Sequence, residues 1–290
     1  MGWADTFIAV DWGTTNRRAW RMESGALAQE FEDDRGVLSV GKGEFPAAVA
    51  EIRGELGDHP MLMAGMIGSN RGRVEANYMP CPAGLDDIAQ SLTWAEPGRT
   101  AIVPGLNATN PADVMRGEEV QIFGAIETGM IPADALLCHP GTHNKWATLA
   151  DGRVETFRTV MTGETFNLLK EHSILSDLLK DEMAVDDAFR AGVERGLQGR
   201  LLTAELFSVR AGVLLGERRK EDATDFTSGL LIGADVGFGL KGSEGGVWIM
   251  GRPELTRLYC AAIAIAGREA TEIDGETAFL AGIKAIAGRI

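Results

Sequence analysis

The sequence predicts an α/β protein of two lobes, each a mixed sheet with flanking helices. Three observations lead there. Ile8, Ala9 and Val10 form an apolar strand that ends in Asp11 and a polar turn, after which Arg18 to Met22 resume an alternating pattern, so the turn closes a hairpin. Leu136 to Leu149 repeats the design, and Gly13-Thr14-Thr15-Asn16-Arg17 aligns with Gly141-Thr142-His143-Asn144-Lys145. Finally, a chain of 290 residues suits two compact cores better than one. The expected division is 1–130 and 131–290, with the last helix free to close onto the first lobe.

The hairpin tips carry the first chemical reading. Gly13 lets a ligand approach the backbone, Thr14, Thr15 and Asn16 add donors, and Asp11 offers a carboxylate to a hydrated cation. One such turn could be an ordinary polar tip. Two of them, one per lobe, suggest a pair of phosphate loops. In this the chain resembles the actin-like ATPase and sugar kinase superfamily, whose ribonuclease H-like lobes hold ATP in the cleft between them.

Composition narrows the partners. A net charge of −14 and the absence of any Lys/Arg block argue against nucleic acid, and anionic substrates would need local donors or a divalent cation to offset the mean field. Cys81, Cys138 and Cys260 are odd in number and far apart, which reads as reduced thiols. No apolar run is long enough to span a bilayer and the first residues lack a leader pattern, so no membrane partner and a cytoplasmic location are expected. The four histidines show no zinc spacing.

In chain order, a third strand is expected near Leu27 to Phe31, with Glu32 to Asp34 solvated, then a helix over Glu44 to Leu56 and a buried strand over Met61 to Met66. That strand empties into a Gly- and Arg-rich loop, Gly65 to Gly84, read as a binding loop in which Arg71 and Arg73 can meet a substrate carboxylate. After a strand at Thr100 to Val103, Pro111 and Asp113 mark a helix start, with Val114, Val120, Ile122, Phe123 and Ile126 as its stripe. Asp113 is then either an N-cap or a catalytic carboxylate. Arg153 to Val160 is a strand, and Thr162-Gly163 feed a helix. The region from Asp186 to Gly239 is mostly helical, and the match Gly237 to Gly242 to a dinucleotide fingerprint is a decoy, because a strand follows it. Strand Gly246 to Met250 runs into Gly251-Arg252-Pro253 at a helix start, where free amides can face the adenosine side of a nucleotide. The final helix spans Glu276 to Ile290.

The blocks VDWGTTNRRAW, AGMIGSNRG, YMPCPAG, ADVMRGEEVQIFGAI, PGTHNKW, MTGETFNLLKEHSIL and SGLLIGADV, in this order, resemble the 2-dehydro-3-deoxygalactonokinase family over nearly the whole chain. The resemblance implies transfer of the ATP γ-phosphate to the 6-hydroxyl of a sugar acid, 2-dehydro-3-deoxy-D-galactonate. It implies ATP and Mg²⁺ as cofactors and admits a homodimer. Asp11 would be the metal-side carboxylate. Gly13, Thr14, Thr15, Asn16, Arg17, Gly141, Thr142, His143, Asn144, Thr162, Gly163, Gly251, Arg252 and Pro253 would hold the nucleotide. Ser69, Arg71 and Glu118 would meet the sugar acid. Lys145 would neutralise the moving phosphoryl, and Asp113 would take the proton from the attacking hydroxyl. Asn144 departs from a common Ser, and Asn70-Arg71-Gly72-Arg73 departs from the family's usual Arg-Gln-Gly-Trp; the latter bears on substrate choice, since a charge replaces an aromatic wall. The alternatives are a kinase for another sugar or sugar acid, and an actin-like ATPase that is not a kinase.

Overall fold

The structure, a computed structural model, describes Trp3 and residues 5–290. Its elements follow in chain order: β1 (Thr6–Trp12), β2 (Arg17–Glu23), β3 (Ala26–Asp33), α1 (Phe45–Leu56), β4 (Met61–Gly65), β5 (Tyr78–Pro80), α2 (Leu85–Gln90), β6 (Thr93–Glu96), β7 (Thr100–Ile102), β8 (Gly105–Ala108), β9 (Asp113–Met115) and α3 (Glu118–Glu127). Then come β10 (Ala135–His139), β11 (Asn144–Ala150), β12 (Arg153–Val160), α4 (Thr162–His172), α5 (Asp187–Leu197), α6 (Leu202–Leu214), α7 (Ala223–Gly239), β13 (Val247–Met250), α8 (Pro253–Ile265), β14 (Ala270–Ile273) and α9 (Gly275–Ala287). The chain forms two compact units. One comprises residues 1–134, 149–156 and 275–290, and the other residues 135–148 and 157–274.

The first unit is built on a six-stranded sheet of order β3-β2-β1-β4-β7-β6. Here β1 to β3 form an antiparallel meander, β4 and β7 add parallel to β1, and β6 closes the edge antiparallel. Alternation along β1 and β2 sends Ile8, Val10, Trp12 and Ala19 into a core with Val49, Ile52 and Leu56 of α1. A separate three-stranded sheet, β5-β8-β9, carries the segment before α3.

The second unit repeats the order as β12-β11-β10-β13-β14, with β13 and β14 parallel to their neighbours. A four-residue connection joins β10 to β11, which only an antiparallel pair allows. Its core sets Cys138, Trp146 and Ile249 against Phe189, Ile232 and Tyr259 of the helices. Each unit thus has a meander whose first strand also pairs with a parallel strand, so the hairpin repeat seen in the sequence belongs to a repeated sheet plan.

Three expectations need correction. Asp113 opens β9, not a helix: Asp113 pairs with Ala108 in the β8–β9 ladder, and α3 starts at Glu118, after Gly117 takes φ 107°. The Pro111 signal marks the turn before a strand, where proline's fixed φ is equally at home. Asp33 is not simply solvated, since both its oxygens bind Arg17. The strand at Ala270–Ile273, the fifth of its sheet, has half-buried and exposed positions only and was not foreseen.

Candidate functional site

In the first unit, the β1–β2 tip is held open toward a ligand by its own backbone bonding. The carbonyls of Thr15, Gly13 and Thr14 accept from the amides of Gly36, Val37 and Leu38 at 2.8, 3.0 and 3.2 Å. With the carbonyls turned inward, the amides of Thr14, Thr15 and Asn16 have no backbone acceptor among the described residues, and all three residues are exposed. Donors so arranged form an anion-binding concavity. The close approach depends on Gly36, where a Cβ would lie 2.3 Å from the backbone of Thr15.

Arg17 does not join this tip. It is 1% exposed, forks onto Asp33 at 2.8 Å twice, donates to the Ala48 carbonyl at 2.9 Å and to Glu51 at 3.1 Å, and stacks against Trp12 and Phe31. Every direction of the guanidinium is occupied, so its expected place among the nucleotide donors is corrected to a core-locking role.

Asp11 sits at the end of β1, where Arg18 reaches its Oδ2 at 3.1 Å and Glu276 at 3.2 Å. Burial raises the Asp11 pKa, Arg18 opposes the rise, and the nearby charge of Glu118 adds to it. Gly65, at φ 88°, brings β4 beside it: a Cβ there would stand 3.3 Å from Asp11 Oδ1 and 2.8 Å from the Trp12 carbonyl. A Cβ at Gly117 would in turn stand 3.3 Å from the Gly65 Cα. Asp11, the end of β4 and the start of α3 therefore form one cluster. At that start Glu118 accepts from the Arg116 amide at 3.0 Å and Glu119 from the Gly117 amide at 2.7 Å, so two acidic side chains take up the amides just ahead of the helix. Glu119 is fully buried, and that burial pushes its pKa up to about 8.

Along the loop after β4, Ser69 accepts from the Arg71 amide at 3.3 Å, and Arg71 is exposed. Arg73 is not available for a substrate carboxylate, because its guanidinium donates to Glu96 at 2.5 Å from a nearly buried position. Asp113 Oδ1 accepts from the Val114 amide at 2.8 Å.

The second unit gathers five of its expected residues around a cavity of about 160 Å³. Gly141, Thr142, Thr162, Gly163 and Arg252 line it, together with Phe166, Leu231, Ile232, Leu255 and Leu258. That volume is below the roughly 300 Å³ of sites that take a whole drug-sized ligand, so it accepts a part, such as a flat ring, with polar groups at one side. The hairpin tip is backed as in the first unit: the Thr142 carbonyl accepts from the Glu164 amide at 3.0 Å, and a Cβ on Gly163 would come within 2.6 Å of the Gly141 carbonyl. The start of α4 thus lies against the tip, with the Glu164 amide already bonded to it, and a helix N-terminus beside such a turn is a place that favours phosphate. Gly251 packs on the Pro140 carbonyl, and Pro253 is the first residue of α8, with Arg252 exposed before it.

Three expected donors of this hairpin have other work. His143 pairs with Glu164 at 2.5 Å and clips the tip to α4. Asn144 is fully buried and spends both amide hydrogens on Asp235 at 3.0 Å, while its oxygen accepts from Cys138 at 3.3 Å. It supports the tip from beneath and cannot be a direct phosphate donor. Lys145 is 6% exposed and donates to Thr159 at 2.9 Å. It is a buried ammonium on a strand, not a solvated hairpin lysine.

Sequence reasoning missed the hub of this unit. Asp235, buried on α7, accepts from Asn144, from Trp146 Nε1 at 2.7 Å, from the Thr162 hydroxyl at 2.5 Å and from the Tyr259 hydroxyl at 2.5 Å. One carboxyl therefore ties β11, α4 and α8 together, and two of its partners, Thr162 and Tyr259, line the cavity. Burial raises its pKa, and the four donors resist the rise. The available signal was an acid in the apolar second half of a helix, Leu230 to Val236, which must be satisfied if buried.

Residues 11–286 match the sequence-family model described as 2-keto-3-deoxy-galactonokinase. The chain is 38% identical over 288 residues to the 2-dehydro-3-deoxygalactonokinase of Escherichia coli (strain K12), covering 97% of each. A crystal structure from Sinorhizobium meliloti, provisionally given the same activity, superposes with a TM-score of 0.91 at 37% identity, covering 97% of this chain and 98% of that one. At 12% identity and a TM-score of 0.50, the activator of the 2-hydroxyisocaproyl-CoA dehydratase from Clostridium difficile shares the fold, covering 98% of this chain and 95% of that one.

Proposed function

This chain belongs to the 2-keto-3-deoxy-galactonokinase family, with the actin-like ATPase fold, and on that footing we propose that it moves the γ-phosphoryl of ATP to the 6-hydroxyl of 2-dehydro-3-deoxy-D-galactonate. The observation that carries the reading is the cradle built twice: Gly13 to Asn16 backed by Gly36, and Gly141-Thr142 backed by Gly163. Phosphoryl transfer asks chiefly for positioning and charge neutralisation, which rigid backbone amides supply without reorganising. The apolar wall of Phe166, Ile232 and Leu255 suits the nucleotide base.

The donor set fits Mg²⁺ carried on phosphates. Among the described residues no three His, Cys, Asp or Glu side chains form a metal cluster, and Mg²⁺ commonly takes one or two carboxylates, with waters and phosphate oxygens for the rest. Asp11 would hold it, with Glu118 as the neighbouring acid. When bound, the ion would neutralise charge at the terminal phosphates. Arg18 keeps the Asp11 carboxylate oriented.

For the proton of the attacking hydroxyl, Asp113 was expected because of a helix start, and that start lies at Glu118. The dipole argument therefore passes to Glu118, while Asp113 keeps only its place in the family block. Ser69 and Arg71 remain the groups offered to the sugar acid. Among the described residues no helix is long and apolar enough to cross a membrane, and an ATP-dependent sugar-acid kinase would work in the cytoplasm. The test is ADP release with Mg²⁺-ATP and a panel of acceptors: 2-dehydro-3-deoxygalactonate should exceed gluconate, glucose and glycerol by at least about tenfold, the ratio set by 1.4 kcal/mol of discrimination. Equal turnover on glucose would sink the substrate assignment.

A further inference from the structure

The turn between α6 and α7 holds a guanidinium that no acid among the described residues pairs with. Arg218 sits over the Phe226 ring of α7, its Cζ 3.3 Å from the ring centre. The nearby Asp222 is already taken, since Nε and Nη2 of Arg219 reach it at 3.0 and 2.6 Å. Among the described residues Arg218 has no side-chain hydrogen bond, and its Nε is buried without a partner. Burial lowers its pKa against the opposing charge of Asp222, a cost that a bound anion would remove. The backbone fixes the group in place. After Gly216 takes φ 74°, the amides of Glu217 and Arg218 both donate to the Gly212 carbonyl, at 2.8 and 3.1 Å. A guanidinium held in this way presents its planar end as a ready fork for a carboxylate.

The fork lines a cavity of about 400 Å³ between α5, α6 and α7, within the size range of small-molecule sites. Phe226 is its wall on α7, whereas Ser228, Leu231 and Ile232, which line the nucleotide cavity, lie about 140–240° further round that helix. The two cavities are therefore separate. Arg195 of α5 adds a second guanidinium, tied through Nε to Glu205 at 2.6 Å with its Nη groups unspent. Glu194, Gln198 and Glu217 are exposed on the same walls and have no side-chain partner among the described residues. Ser208 donates to the Glu205 carbonyl at 2.6 Å and keeps its lone pairs for another donor. This mixture selects the guest. A phosphate dianion on Arg218 would also meet Glu194 and Glu217, and an uncharged sugar would leave the fork unanswered. A monocarboxylate whose other groups are hydroxyls suits every wall, because those hydroxyls donate to the two acids, to Gln198 and to Ser208.

We propose that this cavity is a second binding site, for a small polyhydroxylated monocarboxylate, with Arg218 taking the carboxylate through its Nη groups and Glu194 and Glu217 accepting from the hydroxyls. It needs neither ATP nor turnover, so it stands or falls apart from the phosphoryl-transfer reading.

D-gluconate is the probe. At the modest efficiency per atom of ordinary small ligands, its roughly 13 non-hydrogen atoms give a Kd of about 1 mM. Hydrogen–deuterium exchange of the full chain, followed by mass spectrometry on peptides covering residues 212–218, reads the site locally, because the Glu217 and Arg218 amides lie there. At about 20 mM gluconate that exchange should slow by about twentyfold, the factor that linkage gives for such a Kd. Sorbitol, which lacks the carboxylate, sodium phosphate, and sodium chloride at equal ionic strength should leave it near the free rate. Arg218→Gln should weaken gluconate by at least about tenfold, the worth of one charge-assisted hydrogen bond. Ser208→Leu pushes a side chain into the cavity from α6 while Arg218 stays, and should abolish the protection with the thermal melt unchanged. No protection by gluconate, equal protection by sorbitol or chloride, stronger protection by phosphate, or protection that survives both substitutions overturns the proposal.

Discussion

Asp235→Asn is the sharpest perturbation of the second unit, because it keeps the shape of the hub and changes only its bonding. Each oxygen of the carboxyl receives donors: Asn144 and Trp146 on Oδ1, and Asn144, Thr162 and Tyr259 on Oδ2. Trp146 and Asn144 can only donate at those contacts, so the amide nitrogen of the variant must replace Oδ2 and turn toward the two hydroxyls, which rotate to accept. One bond from Asn144 is lost outright, and the rest lose their charge assistance. Hydrogen bonds to charged groups contribute about 1.5–3 kcal/mol each, so a net loss of about 3 kcal/mol is expected, equivalent to a fall in Tm of roughly 6–12 °C. The Thr162 and Tyr259 hydroxyls also define one side of the cavity, and their rotation should raise the KM for ATP by about tenfold, the equivalent of one hydrogen bond, with kcat less affected. Tyr259→Phe removes one donor and should give a smaller change in the same direction. Differential scanning calorimetry with steady-state kinetics on both variants reads both quantities. If Asp235→Asn melts with the parent and keeps its KM, the carboxyl is protonated in the folded state and the hub is not a charged clamp.

Three further perturbations separate the remaining roles. Gly36→Ala and Gly163→Ala push a methyl into the backbone of each hairpin tip, and since displacements of about 1 Å can cost 10²-fold, kcat/KM for ATP should fall about that much in each. Gly54→Ala, on α1 with open space around it, should leave activity intact, and parallel behaviour of all three would dismiss the cradles. Glu119 gives a pH signature. With its folded pKa at about 8 against an ordinary 4.5, the folded chain holds a proton that the unfolded chain releases between those values, so stability is fully present below pH 4.5 and declines as pH rises to 8, by at most about 5 kcal/mol. The Tm of Glu119→Gln should therefore gain on the parent from pH 5 to 8 and run parallel above it; a gap that is constant from pH 5 to 8 refutes the assignment. Asp113→Asn and Glu118→Gln, compared by single-turnover kinetics at saturating substrates, identify the base: its loss should cost about 10²–10⁴ in rate without a matching loss in Tm. Retention of rate by both would exclude either acid.

The parts of this protein that were legible in the sequence are those in which local pattern and final role coincide. The hairpin at Asp11 to Arg18 announces itself by alternation on either side of a Gly-Thr turn, and its second copy at Gly141 to Lys145 falls on the matching strands of the other sheet. Helix α3 misled because Pro111 and Asp113 carry helix-start chemistry, yet Asp113 pairs in a short ladder whose partner strand is fixed by tertiary context. Arg17 and Asn144 misled in another way. Donor-rich residues next to a binding turn look like ligands, and only burial shows that their donors are spent on Asp33 and Asp235. Gly36 and Asp235 lie far along the chain from the tips they support, so no window of sequence contains the relation.

Product analysis after a single turnover with γ-labelled ATP tests the central claim most directly. The account requires the label on the 6-oxygen of 2-dehydro-3-deoxygalactonate, seen as a phosphorus resonance coupled to the C6 protons, with one ADP formed per phosphorylated sugar acid. Label recovered as free phosphate in the presence of the sugar acid, or on a different acceptor in preference to it, would contradict that claim.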